Sequence, residues 1–454
     1  MAQQHLHTIQ KALETRPAYC SGIHEVNEDF LALYFGKKGS GTSRRIDLAH
    51  ASDTGLAALA SACEPATFGL GEETVLDETY RKAGKLDRTD FATLFNPGDV
   101  GISGILHSDL LDSEKDFTME LYKLNVYSEG AFFKPHLDTP RNENMFGSLV
   151  VVFPTPHEGG ELVLRHGQGE SQNEWTVDFS KELAQASSPS VGFVAFFSDV
   201  EHEVLPVKAG YRVTLTYNLY FKSKPPPSIL AVARPITSIE AQLRSSLSAV
   251  VSDPAILPSG GFLAFGLSHK YPLKRGQDTS RVKDYLKGSD DLIARVCSSL
   301  ALPWSIYVFY KRFINYNERN IFTDRVVAID LYEYGNCSYE ISANQFVTEW
   351  FKLRSDGDPS ASSQKGPRKR SRRDKETGSR VWKGVLYKED DGLESDHTNK
   401  DDSWHAEVIR MNKLVSEHRV ESHFMVYGNE HQLQYVYGSV CLLVELKPSG
   451  QRPL

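Results

Sequence analysis

The strongest chemical signal in the chain is a histidine and an aspartate two residues apart. His136 and Asp138 stand in YSEGAFFKPHLDTPR, after an aromatic run and before a Pro-Arg pair. In an extended strand alternate side chains share a face, so this spacing sets an imidazole beside a carboxylate and offers half of a metal site. His202, in FFSDVEHEVLPVKAGYRVTLTYNLY, follows an apolar strand and is the candidate third ligand. Arg212 opens the next strand, where a guanidinium among apolar residues is costly to bury without an anionic partner. Thr214 shares its face, and a guanidinium fork beside a hydroxyl suits a carboxylate.

Together these residues describe two histidines and one carboxylate on one face of an octahedral iron. The opposite face is left open for a bidentate organic acid and dioxygen, with the far carboxylate of that acid meeting Arg212.

The tripeptide alone does not decide the matter, because His-x-acid occurs three times. His107-Ser-Asp109 sits in a Leu/Asp-rich stretch that reads as a loop or helix start, with no downstream His and Arg at the matching spacing. His405-Ala-Glu407 lies in WHAEVIRMNKL, which reads as a helix, where i and i+2 diverge around the axis. His157 and His166 flank the Gly159-Gly160 turn and read as surface or hairpin histidines, with the mouth of the site as the alternative. Arg141 and Arg165 are candidate substrate contacts, with salt bridges to neighbouring acids as the equal alternative.

The elements that must position these residues are strands. From about residue 118, MELYKLNVYS, GSLVVVFP, GGELVLRH, EWTVDF, SVGFVAFFSD and YRVTLTYNLYF follow one another, β-branched or aromatic and separated by turn residues. That succession predicts a mainly β fold with α additions, its core a jelly-roll barrel (a double-stranded β-helix) over 118–222. Residues 1–117 read as a supporting segment, with helices at HTIQKALETR and TGLAALASACE and a strand at DFLALYFG. Residues 223–454 read as a mixed α/β region, with helices at SIEAQLRSSLSAVVSD and DLIARVCSSLA and strands at FLAFGLS, SIYVFYKR and RVVAIDLYEY.

Within that region 355–380 is almost free of apolar residues and reads as a solvated insertion. Its basic core, Arg368, Lys369, Arg370, Arg372 and Arg373, reads as a plain loop, with nuclear import as the alternative.

Composition narrows the remaining classes. At 454 residues with a net charge of −8 and pI near 6.0, the chain has ample apolar content for a large core and no global attraction to nucleic acid or an anionic membrane. The N-terminus shows neither a signal peptide nor a transmembrane stretch, so cytosol or nucleus is expected. Cys20, Cys63, Cys297, Cys337 and Cys441 are odd in number, scattered and without CxxC, which predicts buried free thiols.

The order Tyr127, His136-x-Asp138, Gly159-Gly160-Glu161-Leu162, His202, Arg212 resembles the catalytic domain of iron(II)- and 2-oxoglutarate-dependent dioxygenases, in particular the prolyl 4-hydroxylase-like branch. Uncharacterised fungal members look especially similar, with the likeness extending to the C-terminal YGNE segment. The resemblance covers about 118–222, roughly a quarter of the chain.

It implies His136, Asp138 and His202 as iron ligands, Arg212 pairing with 2-oxoglutarate, and Tyr127 near the cosubstrate. It also implies Fe(II), 2-oxoglutarate and dioxygen as requirements, with ascorbate as an associated reductant. The implied reaction releases succinate and CO2 as a C–H bond is hydroxylated. The substrate is then a prolyl or other side chain of a protein, or a small molecule or amino acid; a catalytically silent binding module is the third reading. Arg212 stands where many prolyl 4-hydroxylases carry Lys, and the missing signal peptide counts against collagen-type hydroxylation.

Overall fold

The computed structural model describes residues 17–36, 39, 41–70, 73–111, 113, 115–167, 172–222, 236–273, 277–314, 317–324, 351–354, 381–385, 405–412, 436–437 and 440–452, with Thr8, Ile9 and Leu13. The basic segment 355–380, the YGNE segment and the strand expected at RVVAIDLYEY lie outside the described residues. The chain divides into two compact units, one built on Pro17–Ala233 and the other chiefly on Arg234–Phe424 and Tyr435–Leu454. Among the described residues no helix is long and apolar enough to cross a membrane.

The first unit is a double-stranded β-helix. Its strands are Tyr19–Glu25 (β1), Glu64–Pro65 (β2), Arg81–Lys82 (β3), Gly84–Asp87 (β4), Phe117–Tyr127 (β5), Phe132–His136 (β6), Met145–Val152 (β7), Leu162–His166 (β8), Asn173–Val177 (β9), Ser190–Phe197 (β10), Glu201–Val204 (β11) and Arg212–Phe221 (β12). A seven-stranded sheet runs β1-β10-β7-β12-β5-β4-β2, and a five-stranded sheet runs β9-β8-β11-β6-β3. Each strand expected between 118 and 222 is present.

Residues 17–117 do more than support this barrel, since they supply β1, β2 and β4 to the long sheet and β3 to the short one. The helix expected at TGLAALASACE forms as Asp53–Ala62 (α1), started by Ser52, whose hydroxyl accepts from the Gly55 amide at 3.2 Å. Leu56 and Leu59 on its inner face are buried.

The long sheet is buried on both faces for two different reasons. On β12, Val213, Leu215, Tyr217 and Leu219 alternate with Arg212, Thr214, Thr216 and Asn218, and all are buried except the half-buried Thr216. The apolar set packs outward beneath the N-terminal residues, where the Tyr217 hydroxyl donates to the Phe95 carbonyl at 3.2 Å. Phe95 in turn meets Phe153 edge to face, with ring centroids 6.0 Å apart. The polar set lines a cavity between the two sheets. Each fully buried apolar side chain contributes roughly 1.5–3 kcal/mol, so the outer face anchors the strand while its inner face stays free for chemistry.

The second unit is mixed, as expected for 223–454. Helices Ser238–Ser252 (α2) and Gly288–Ser299 (α3) accompany seven strands in a closed barrel. These are Gly261–Gly266 (β13), Trp304–Ile314 (β14), Asn317–Thr323 (β15), Phe351–Arg354 (β16), Val381–Val385 (β17), His405–Arg410 (β18) and Val440–Leu446 (β19), in the order β13-β18-β17-β16-β15-β14-β19. Its core joins Leu243, Leu247 and Val250 of α2 to Leu292 and Val296 of α3 and to Leu442 and Val444 of β19. Asp290, fully buried in α3, accepts from the Ser268 and His269 amides and from the Tyr271 hydroxyl.

The helix expected around His405-Ala-Glu407 is a correction, because that chain is β18. It pairs antiparallel with β17 and parallel with β13, and sheet pairing overrides so short a local pattern. Cys20, Cys297 and Cys441 are buried free thiols and Cys63 is half-buried and free, while Cys337 lies outside the described residues.

Candidate active site

His136 ends β6 and His202 lies in β11, and the two strands pair with these residues opposite each other. Their ring centroids are 4.1 Å apart. Asp138 follows at the end of the strand, and ligand atoms of His136, Asp138 and His202 all lie within 4.8 Å of one another. The i, i+2 reading of His136 and Asp138 and the third ligand from a neighbouring strand therefore meet in one place.

Each histidine has one ring nitrogen already engaged. Nδ1 of His136 stands 2.9 Å from the Lys134 carbonyl and Nδ1 of His202 is 3.1 Å from that of Val200. A carbonyl only accepts, so Nδ1 carries the proton in both rings and Nε2 keeps its lone pair for a metal. Burial, and next the neighbouring His202, hold the pKa of His136 well below the usual histidine value, so it stays neutral and able to ligate. Asp138 Oδ1 lies 3.9 Å from His202 Nε2, and its Oδ2 accepts a short hydrogen bond from the Ser148 hydroxyl.

Across the cavity stands Arg212. It is 4% exposed and forms no ion pair within 4.0 Å among the described residues; burial draws its pKa downward, against the weaker opposing pull of Tyr127, Asp178 and Glu161. Its guanidinium carbon lies 5.6 Å from the centre of the Tyr127 ring, directly across the strand pair in register. Thr214, two residues on, lines the same cavity.

Behind Arg212 the chain turns at Gly159 and Gly160, with φ of +74° and +73°. A Cβ on Gly160 would sit 2.8 Å from Arg212 Cδ, so this turn needs glycine both for its backbone and for its approach to the arginine.

Other candidates fall elsewhere. Arg165 is not in the cavity lining: it binds Glu174 at 2.6 Å and also pairs with Glu203 and Glu201, acids placed beside it by the strands flanking β8. Arg141 does line the cavity, stacked 4.2 Å from the Tyr122 ring. His157 engages the Thr155 carbonyl and His166 lies 3.1 Å from Asp199, and neither lines the cavity or stands with His136, Asp138 and His202. His107 packs on Phe117, and Asp109 accepts from Ser108.

Sequence reasoning missed Arg81, Lys123, Asn125, Ser148, Thr216 and Asn218, all in the lining. A signal for two of them, Thr216 and Asn218, was present. The polar members of RVTLTYNL recur every second residue in a strand whose other members are apolar, which marks a polar inner face. Tyr122 lines the cavity beside Lys123 because β5 carries a bulge between Leu121 and Lys123, which period-two counting does not foresee.

Residues 122–220 match the family model of the 2OG-Fe(II) oxygenase superfamily. That segment contains every residue of the His136, Asp138, His202 and Arg212 constellation and is a 2OG-Fe(II) oxygenase domain, whose class uses Fe(II), 2-oxoglutarate and dioxygen.

Similar solved structures include a Pseudomonas putida prolyl-4-hydroxylase at 20% identity, covering 47% of this chain and 98% of that one, with a TM-score of 0.26. They also include a Trichoplax adhaerens prolyl hydroxylase in complex with a hypoxia inducible factor peptide fragment, at 17% identity over 48% of this chain and 90% of that one, with a TM-score of 0.25. A Burkholderia pseudomallei 2OG-Fe(II) oxygenase family protein follows at 20% identity, 38% and 81% coverage and a TM-score of 0.22. Comparison with curated proteins gave no match.

Proposed function

We propose that His136, Asp138 and His202 are the iron ligands, that Arg212 with Thr214 and Tyr127 holds 2-oxoglutarate, and that the enzyme hydroxylates a C–H bond. The observation that carries this reading is the buried guanidinium of Arg212, without an acidic partner among the described residues, in the same cavity as the two free Nε2 atoms. Such a group calls for an anion from outside the chain. The donor set of two imidazoles and a carboxylate fits Fe(II), and a guanidinium across the cavity fits the far carboxylate of the keto acid.

When bound, the iron with its cosubstrates supplies the oxidation, in which 2-oxoglutarate yields succinate and CO2 as the substrate gains a hydroxyl group. The chain supplies the rest. Ser148 orients the Asp138 carboxylate, the Lys134 and Val200 carbonyls fix the histidine tautomers, and the Gly159-Gly160 turn presses Arg212 into place. Phe133, Leu162, Phe196 and Val204 line the cavity beside the histidines and limit water there.

For the substrate we favour a prolyl or other side chain of a peptide, on the order of residues from Tyr127 to Arg212 that resembles the prolyl 4-hydroxylase-like branch. Arg212-x-Thr214 supports a small-molecule or amino-acid substrate as the second reading.

The test is anaerobic Fe(II) binding followed by oxygen-dependent succinate release, for wild type, His136→Ala and Arg212→Ala, against proline-bearing peptides and free amino acids. Turnover lost in His136→Ala, with a raised 2-oxoglutarate requirement in Arg212→Ala, is expected. Iron binding without 2-oxoglutarate dependence would remove the Arg212 assignment. Binding of both without any succinate would leave a silent binding module.

A further inference from the structure

The cavity contains a buried arginine that this reading does not use. Arg81 in β3 is 3% exposed and, like Arg212, has no ion-pair partner among the described residues. It sits in register with Phe133 of β6. Its Nη1 donates to the Thr67 carbonyl at 2.9 Å and its Nη2 to Asn125 Oδ1 at 3.0 Å, while Nε has no hydrogen-bond partner. Asn125 is held in turn by its own bond to Thr216 Oγ1 at 3.2 Å.

Two acceptors on different segments hold the guanidinium, and its central carbon lies over the Phe133 ring, 4.3 Å from the centroid. Phe133 lies nearly parallel to His136, with centroids 3.5 Å apart and planes at 24°. Tyr80 closes the arrangement: its ring meets the edge of Phe133, its hydroxyl donates to the Pro135 carbonyl at 2.9 Å, and its own carbonyl accepts from the Lys134 amide at 3.0 Å.

The hydrogen bond from His136 Nδ1 to Lys134 restrains rotation of the imidazole about Cβ–Cγ from its edge. A neighbour stacked on the ring face narrows that rotation further, and it can do so only if it is itself held. Lys would supply the charge without the flat face, whereas Arg supplies both.

We propose that Arg81 is a positioning residue that fixes the ring plane of His136 through Phe133, and so the direction in which Nε2 meets the iron. This rests on the reading of His136 as an iron ligand.

The test uses Co(II) as the probe, titrated anaerobically into the metal-free full-length protein and followed by its d–d absorption. Arg81→Gln, Phe133→Leu and the double variant are compared, with melting of each metal-free protein as the control for a purely structural role. Each single variant is expected to weaken Co(II) binding roughly tenfold or more and to alter the d–d bands. The double variant is expected to be no weaker than the worse single one, because one relay is cut twice.

Additive losses, or an Arg81→Gln variant that melts lower but binds Co(II) with unchanged affinity and spectrum, would overturn the proposal. If Arg81→Gln does not fold, Arg81→Lys takes its place, and an unchanged Co(II) spectrum in that variant would likewise overturn it. A wild-type protein that does not bind Co(II) would instead overturn the ligand assignment itself.

Discussion

His136 and His202 face each other across the paired strands β6 and β11, each with Nδ1 engaged by a carbonyl two residues earlier in the chain. Because both bonds are local, the backbone of each strand dictates the tautomer of the histidine it carries. Both Nε2 lone pairs are thereby ready before any metal arrives, which limits the reorganisation that binding requires.

Ser148 is the hydroxyl that orients Asp138, the third proposed ligand, through its bond to Oδ2. Ser148→Ala should lower Fe(II) or Co(II) affinity by roughly 10- to 100-fold while leaving the fold intact, as loss of a partner behind a metal ligand does. Isothermal titration of the metal-free protein checks this, and unchanged affinity would mean that Asp138 holds its orientation alone.

Arg212 should be needed in its full form. Arg212→Ala removes the buried cation proposed to face the cosubstrate and should raise the 2-oxoglutarate requirement by roughly thirtyfold or more, equivalent to about 2 kcal/mol. Arg212→Lys should recover only part of this, because an ammonium cannot form the two-pronged contact. Succinate release against 2-oxoglutarate concentration separates the three proteins.

Gly160→Ala addresses the same arginine from behind. The new Cβ would meet Arg212 Cδ and take a backbone at φ +73° that L side chains rarely adopt, so a cost of about 1–3 kcal/mol in stability is expected. The 2-oxoglutarate requirement should rise while metal affinity holds, since the nearest atoms to the new Cβ belong to Arg212 and Val207 and not to the proposed metal ligands. Equal loss of metal affinity would show that the turn shapes the whole cavity.

His136 also sets a pH dependence for the metal-free protein. Its pKa in the folded protein is held below 6.5 by burial first and by His202 next, so the unfolded chain takes up a proton that the folded chain refuses. Stability contributed by this group is therefore complete above about pH 6.5 and declines as pH falls towards the folded value, by up to about 1.4 kcal/mol per pH unit. Urea midpoints at about pH 7.5 and about pH 5.5 should differ less in His136→Ala than in wild type.

The sequence was informative where chemistry is written locally. His136 and Asp138 are two residues apart and Thr214 shares a face with Arg212, so strand periodicity gathers each of these pairs, while His202 follows an apolar strand of the same succession. Arg81 and Ser148 were not legible, because each reaches its partner from a different strand or segment: Arg81 meets Phe133, 52 residues on, across a strand pair, and Ser148 reaches back from β7 to Asp138 in the loop before it. Arg165 went the other way. It sits beside the Gly-Gly turn in sequence, yet cross-strand neighbours Glu174 and Glu201 fix it in an acidic cluster outside the cavity.

The edges of the long sheet have a consequence for how this enzyme can be cut or transplanted. The segment matched to the superfamily, 122–220, carries the whole constellation, but β1, β2 and β4 come from upstream and flank it on both sides. The heritable unit and the folding unit are thus different lengths of chain. A fragment trimmed to the family boundary would keep its ligands, lose the Phe95 and Arg81 supports, and leave open strand edges that invite self-association. The compact unit that carries this barrel begins at Pro17, more than a hundred residues before the family boundary.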